Sequence, residues 1–169
     1  MAVNSAYAQR MQSYAARAAA AVDMPVEVVL AQWALESGNG TSGHAKNHNN
    51  HGGIKYSKHS KTALQRSDSQ FAGYRNLDDF VTDYIRVINL GYYDKVREAT
   101  TIEGTVKALG ESPYDAGGYL LNGVKGGKLF NLMGLTFGGK TPEKKPTTPP
   151  AAVCPACQRS VCPTCRKAL

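Results

Sequence analysis

Late in the chain the sequence runs Gly138-Gly139-Lys140-Thr141-Pro142 and on through Pro146-Thr147-Thr148-Pro149-Pro150, rich in Pro, Lys and Thr and almost without large apolar residues. Such a run has nothing to bury and favours extended backbone, so residues 139–150 read as a semi-rigid linker. It leaves residues 1–138 as one domain of ordinary size and 151–169 as a segment too short to build an apolar core. A hydrophobic fraction of 42% and a charged fraction of 20% exclude wholesale disorder, and no internal repeat is visible.

The net charge of +7 is unevenly placed, because six of the 20 Lys+Arg but one of the 13 Asp+Glu fall in residues 140–169. A basic tail is drawn to polyanions such as teichoic acids, lipopolysaccharide phosphates or nucleic acid, and serves equally as a solubilising tail. No aromatic-basic interleaving marks a nucleic-acid surface. The longest weakly polar stretch near the start, residues 15–22, is interrupted by Arg17. It is shorter than a signal-peptide core or the roughly 20 residues that span a bilayer, so neither Sec export nor a membrane span is expected.

Residues 4–22 have alanine-rich helical composition, with Tyr7, Met11, Tyr14 and Ala18 at helical spacing. Asp23 offers a cap, with Pro25 and Glu27 in the first turn of a second helix. That helix runs through Val28, Leu30 and Trp33 to Leu35 and stops at Ser37-Gly38-Asn39-Gly40, where glycine favours left-handed termination. Residues 41–76, rich in Gly, His, Asn, Lys and Ser, read as loops with at most a small β-hairpin. Asn76 and Asp79 then open an amphipathic helix that ends at Gly91, and shorter helices are expected over 93–99, 102–109 and 119–133. The expected class is mainly α (α+β), a helical domain with a small β-lobe and a groove between the two parts.

Glu36 lies in the last turn of the second helix, behind Trp33, Ala34 and Leu35. Apolar neighbours and the negative end of the helix dipole both disfavour a carboxylate, as a general acid requires. A solvent-facing Glu ahead of a C-cap has the same local sequence.

The wider pattern is more specific. Ala31-Gln32-Trp33-Ala34-Leu35-Glu36-Ser37-Gly38-Asn39-Gly40-Thr41-Ser42, followed by Asn49-Asn50-His51-Gly52-Gly53-Ile54-Lys55, resembles the signature of the glycoside hydrolase family 73 N-acetylglucosaminidases, which include autolysins, a flagellar rod-associated peptidoglycan hydrolase and phage lysins. The likeness extends through Phe71-Ala72-Gly73-Tyr74 and residues 78–88, and more loosely to Ala108-Leu109 and residues 114–120. It implies a lysozyme-like fold and cleavage of the glycan strand of peptidoglycan on the reducing side of N-acetylglucosamine, with Glu36 protonating the leaving oxygen and no catalytic cofactor.

An inverting glycosidase places a second carboxylate about 6.5–9.5 Å from the acid. In the family that residue is usually a Glu in the β-lobe hairpin. Here residues 55–71 contain no Glu; Asp68 is their one carboxylate, and Gln65 competes for the usual Glu position. Asp68 is the candidate base or electrostatic stabiliser, although Arg66-Ser67-Asp68-Ser69 also suits an ordinary turn. The substrate's own 2-acetamido group is the other route. Tyr74 matches the family's Phe-x-x-Tyr tyrosine, and Tyr119, with Tyr114 as runner-up, is the candidate for a later tyrosine beside the groove. Both are substrate-contact candidates that also suit plain core. Asn50 joins them as a hydrogen-bonding residue that shapes the groove.

His44, His48, His51 and His59 crowd one polar region, but their spacing suits no hydrolytic zinc motif, so they read as loop residues. The tail is different. Cys154-x-x-Cys157 and Cys162-x-x-Cys165 place four thiols within 12 residues, with Pro155 and Pro163 stiffening both turns. That arrangement suits a structural four-cysteine zinc knot whose metal supplies the folding energy, with an iron–sulfur cluster or two disulfides as alternatives.

The combined expectation is a peptidoglycan glucosaminidase tethered to a metal-knot tail that anchors it to the envelope or to an assembly such as a phage tail. It would act outside the cytoplasm, delivered by a virion, a holin or a dedicated secretion apparatus. The rivals are a non-catalytic glycan-binding module recruited by its tail, and a lytic transglycosylase, which also uses one helix-borne Glu.

Overall fold

The computed structural model describes residues 2–114 and 118–134. The linker and the four cysteines lie outside the described residues.

Helix α1 (Ser5–Ala21) starts where the Asn4 side chain accepts from the backbone N–H groups of Ala6 and Tyr7, at 2.9 and 3.2 Å. Its buried stripe is Tyr7, Met11, Ala15, Ala18 and Ala19, and the alanines let the next helix approach closely. The chain then bends by 120° into α2 (Val26–Ser37). Asp23 was expected to cap α2, but it takes a left-handed conformation (φ 48°) and makes the bend itself, while Pro25 occupies the N-cap. Asp tolerates that conformation better than most residues.

Helix α2 is buried from Val28 through Ala34 and touches α1, α6 and α7. Trp33 meets Phe80 and Tyr84 edge-on, at 4.8 and 5.1 Å between centroids, which joins α2 to α4 (Leu77–Ile88). The α4 helix opens as expected at Asn76, whose side chain accepts from the Asp79 N–H at 2.9 Å. It buries Phe80, Val81, Tyr84 and Ile88.

Between α2 and α4 the expected loop contains a short helix, α3 (Gly43–His48), capped by Ser42. Gly43 and the polar residues after it hid the helix behind low propensity, and the Ser cap was its one signal. The expected hairpin is reduced to two isolated antiparallel bridges, Lys55 with Phe71 and Leu64 with Gly73, and no strand is formed among the described residues. A buried side chain replaces the missing ladder: Asn50 donates to the carbonyls of Ile54 (2.8 Å) and Ala72 (2.9 Å) and accepts from the Ile54 N–H (3.0 Å).

After a 3-10 turn at Gly91–Tyr93, α5 (Asp94–Glu98) and α6 (Ile102–Gly110) pack together. The helix expected over 119–133 is only α7 (Gly127–Leu132). Asn122, Gly123 and Gly126 all have positive φ, which no right-handed helix accommodates, and residues 118–126 form turns instead. Gly126 is required there, because a Cβ on it would lie 2.6 Å from Val106. No single helix among the described residues is long and apolar enough to cross a membrane.

His51 locks the loop after α3 onto α1. Its Nδ1 lies 3.2 Å from the Tyr7 hydroxyl, its ring rests against Phe80, and burial pushes its pKa down to about 4. Because the folded value lies below the unfolded one, the neutral ring stabilises the fold fully above about pH 6.5, and the contribution fades as pH falls towards 4. Urea unfolding should therefore show a loss of about 2–3 kcal/mol between pH 7 and pH 4.5. A folded His51→Gln variant should show a flatter profile over that range; an identical profile would mean that His51 is not the group responsible.

Candidate active site

The site is assembled from three distant pieces of chain at the C-terminal end of α2. The helix stops because Gly38 turns left-handed (φ 58°) and returns its N–H to the carbonyls of Ala34 and Leu35. Ser37 reinforces the stop, donating to the Trp33 carbonyl at 2.5 Å and accepting from the Gly40 N–H at 2.8 Å. Glu36 is thereby held half-buried at the rim of an otherwise apolar helix.

One carboxylate oxygen is committed. The Tyr119 hydroxyl, from the segment ahead of α7, donates to Glu36 Oε1 at 2.6 Å. The other oxygen faces the loop after α3: a Cβ built on Gly53 (φ 60°) would lie 2.7 Å from Oε2. The backbone can come that close because residue 53 has no side chain. Beside it, the Tyr114 hydroxyl donates to the Gly52 carbonyl, and the Tyr114 ring meets Tyr93 edge-on. Burial, and then neighbouring charge that includes Glu36, push the hydroxyls of Tyr114 and Tyr119 well above the ordinary tyrosine range. Both remain proton donors at any working pH. Because Oε1 accepts from the Tyr119 hydroxyl, a proton carried by this carboxyl is directed to Oε2.

Of the residues singled out in the sequence, Glu36 and Tyr119 come together, and Tyr114 lies beside them. Tyr119 is only 1% exposed, so it acts on the carboxylate and offers no stacking face. Tyr74 is part of the core: its hydroxyl donates to buried Asp83 at 2.9 Å, and Asp83 is also paired with Arg86 at 2.6 Å. That fixes the loop to α4 and leaves no ring face for a sugar. Asn50, with both amide protons taken by backbone carbonyls, shapes the loop from inside.

Asp68 sits on an exposed turn, where Arg66 holds both of its oxygens, at 3.0 and 2.7 Å. That hydrogen-bonded pair keeps the carboxyl below its ordinary pKa. Arg66 also reaches His44 Nδ1 at 2.8 Å. No group of three or more His, Cys, Asp or Glu able to hold a metal occurs among the described residues.

Sequence reasoning missed Gly53, Gln32 and Tyr84. Gly53 and Gln32 stand inside the quoted signature, but their contacts with the acid's surroundings are long-range and leave no mark on local pattern. A Gly53→Ala variant should lose about 1–2 kcal/mol to the positive φ. Its new methyl should also displace Oε2 and lower activity about tenfold or more. Urea melts and turnover on a glycan substrate check both, and wild-type turnover in this variant would show that Oε2 is not held against the loop.

Comparison with known proteins gives the family and the fold. The glucosaminidase family model, described as mannosyl-glycoprotein endo-beta-N-acetylglucosaminidase, matches residues 12–148. No curated protein matches the chain. Similar solved structures include a peptidoglycan hydrolase from Sphingomonas sp. A1 (TM-score 0.59, 23% identity, covering 76% of this chain and 86% of that one). The catalytic domain of the autolysin Auto from Listeria monocytogenes is also similar (TM-score 0.57, 23% identity, 76% and 81% covered). A third is a type VI secretion system effector–immunity complex from Pseudomonas protegens (TM-score 0.58, 19% identity, 76% and 86% covered). A half-buried helix-terminal glutamate on this mainly helical fold, within a family match spanning most of the chain, makes the protein a member of the glucosaminidase family, glycoside hydrolase family 73, with its lysozyme-like architecture.

Proposed function

We propose that the protein is a peptidoglycan hydrolase that cuts the glycan strand at N-acetylglucosamine, with Glu36 as general acid. The observation that carries this reading is the split role of the half-buried carboxylate: Oε1 fixed by Tyr119 and Oε2 set against Gly53 at the C-terminal end of α2. Glu36 Oε2 gives its proton to the glycosidic oxygen as the C1–O bond breaks and the bonding electrons leave with that oxygen. Positive charge spreads over C1 and the ring oxygen, and water then attacks C1. In one route the water's proton goes to Asp68, which its pairing with Arg66 keeps ionised as a base must be; in the other, the 2-acetamido oxygen bonds to C1 as the leaving group departs, and water then opens the resulting oxazolinium ion at C1 and gives its proton to the Glu36 carboxylate left by the first step. Peptidoglycan as substrate is supported by the family and by structural neighbours that are named as a peptidoglycan hydrolase and an autolysin.

The reaction lies outside the cytoplasm. A phage lysin or virion-associated enzyme is one reading, and delivery by a secretion apparatus is the other, supported by the effector complex among its structural neighbours. The tail is an appendage to this machinery, since the family match ends at residue 148 and the first cysteine is Cys154. Cys154, Cys157, Cys162 and Cys165 are proposed to hold one structural zinc, and the basic residues around them to anchor the enzyme on an anionic envelope polymer or a larger assembly.

Digestion of purified peptidoglycan by wild type, Glu36→Gln and Asp68→Asn, with mass spectrometry of the fragments, tests the chemistry. Fragments with reducing N-acetylglucosamine ends are expected from the wild type, and Glu36→Gln should lose about 10²–10⁴-fold in rate. A loss of similar size in Asp68→Asn assigns the base, whereas near-normal turnover assigns the acetamido route. Anhydro ends would identify a transglycosylase, and no fragments from folded wild type would favour a glycan-binding module.

The tail is checked separately on the full-length protein by elemental analysis. About one zinc per chain is expected, falling on Cys→Ser substitution. Iron with sulfide, or absence of both metal and free thiols, would replace zinc by a cluster or by disulfides.

A further inference from the structure

Gln32 is a polar side chain with no solvent exposure, in the middle of a helix whose neighbours at Val29, Leu30, Ala31, Trp33 and Ala34 are all buried and apolar. An amide there costs about 1–3 kcal/mol unless its hydrogen bonds are met, and Leu would pack as well at no such cost. Gln32 stands four residues before Glu36, on the same face of α2. Its two ends are both engaged, and in a definite order. The Tyr84 hydroxyl donates to Oε1 at 2.6 Å, and Nε2 donates to the Tyr119 hydroxyl oxygen at 3.1 Å. Tyr119, whose oxygen is occupied by that N–H, aims its single proton at Glu36 Oε1 at 2.6 Å.

We propose that Gln32 is a positioning residue for the hydrolysis: its amide fixes the direction of the Tyr119 hydroxyl and so decides that the transferable proton of Glu36 resides on Oε2. This rests on the reading of Glu36 as the acid. A reversed amide would turn Tyr119 into a donor to Gln32, and Glu36 Oε1 would then have to donate to Tyr119, with the proton on the oxygen that faces the protein core. Reversal would make the fully buried Tyr84 hydroxyl an acceptor and take away the one acceptor its proton has among the described residues, which sets the orientation of the amide. Among the described residues, the ionisable groups facing this chain of hydrogen bonds include the phenols of Tyr84, Tyr93, Tyr114 and Tyr119 and the Glu36 carboxyl itself. Burial pushes all four phenols upward, so none of them changes the order of donors as Glu36 titrates.

Two full-length variants test the idea. Gln32→Leu removes both ends of the amide, and Tyr84→Phe removes only the group that orients it. Thermal unfolding establishes that each is folded, kinetics on purified peptidoglycan separates kcat from KM, and carboxyl ¹³C NMR follows the titration of Glu36 without needing turnover. In Gln32→Leu, kcat is expected to fall about 10–100-fold with KM within about twofold. The Glu36 titration should move to higher pH as the polarised donor to Oε1 is weakened. Tyr84→Phe should show the same pattern to a smaller extent, and it keeps the test open should Gln32→Leu fail to fold. A merely structural role would lower the melting temperature and leave the Glu36 titration in place. That result in a folded variant overturns the proposal. If the wild type itself releases no fragments, the hydrolase reading fails, while the titration still decides whether Gln32 governs the Glu36 carboxyl.

Discussion

Helix α2 is buried on almost every side and still carries a half-buried carboxylate in its last turn, and the rest of the domain is arranged around that requirement. Its apolar surface from Val28 to Ala34 is covered by α1, α6 and α7, with Phe80 and Tyr84 of α4 closing over Trp33. An all-round apolar helix is stable only at the centre of a fold. Glu36 lies just past that covered length, and the left-handed Gly38 ends the helix before the chain can bury the carboxylate further. The Glu36 carboxylate inherits the rigidity of the core while remaining only half-buried.

Polar groups near that carboxylate are organised by the same burial. Tyr119, Gln32 and Tyr84 are enclosed with little or no solvent, so each must find partners inside, and they find them in one another and in Glu36. The loop through Gly52 and Gly53 completes the enclosure from the other side. It is held there by buried Asn50, by His51 against Tyr7, and by the Tyr114 hydroxyl on the Gly52 carbonyl. With ladder pairing in the lobe cut to isolated bridges, side chains supply the geometry that a hairpin would otherwise provide.

The departure in the lobe has a chemical consequence. A glycosidase with a Glu in its hairpin carries its second acid on a regular scaffold. Here the one carboxylate of residues 55–71 is Asp68, on an exposed turn and clasped by Arg66. An arginine partner keeps a carboxylate ionised but also disperses its charge, which makes it a weaker base and a better anchor. The proposed acetamido route needs no such base, and the two routes share the arrangement at Glu36.

What the sequence determined by itself is the part of the protein governed by neighbours along the chain. The helix start at Asn76, the spacing of Tyr7 and Met11, and the glycine stop after Glu36 follow from local propensity and periodicity, and the structure has the helices that they imply. The quoted signature likewise sufficed to indicate the family. The tertiary structure decided everything that depends on distant contacts. Tyr119 meets Glu36 across 83 positions and Tyr114 meets Gly52 across 62, whereas Tyr74, with an equally suggestive motif, turns into the core to satisfy Asp83. The helix expected over 119–133 is shortened because the chain must turn repeatedly at Asn122, Gly123 and Gly126 to bring Tyr119 onto α2. Local pattern encodes which face of an element is apolar; which hydroxyl reaches Glu36 is settled only when the elements pack and bring distant donors and acceptors together.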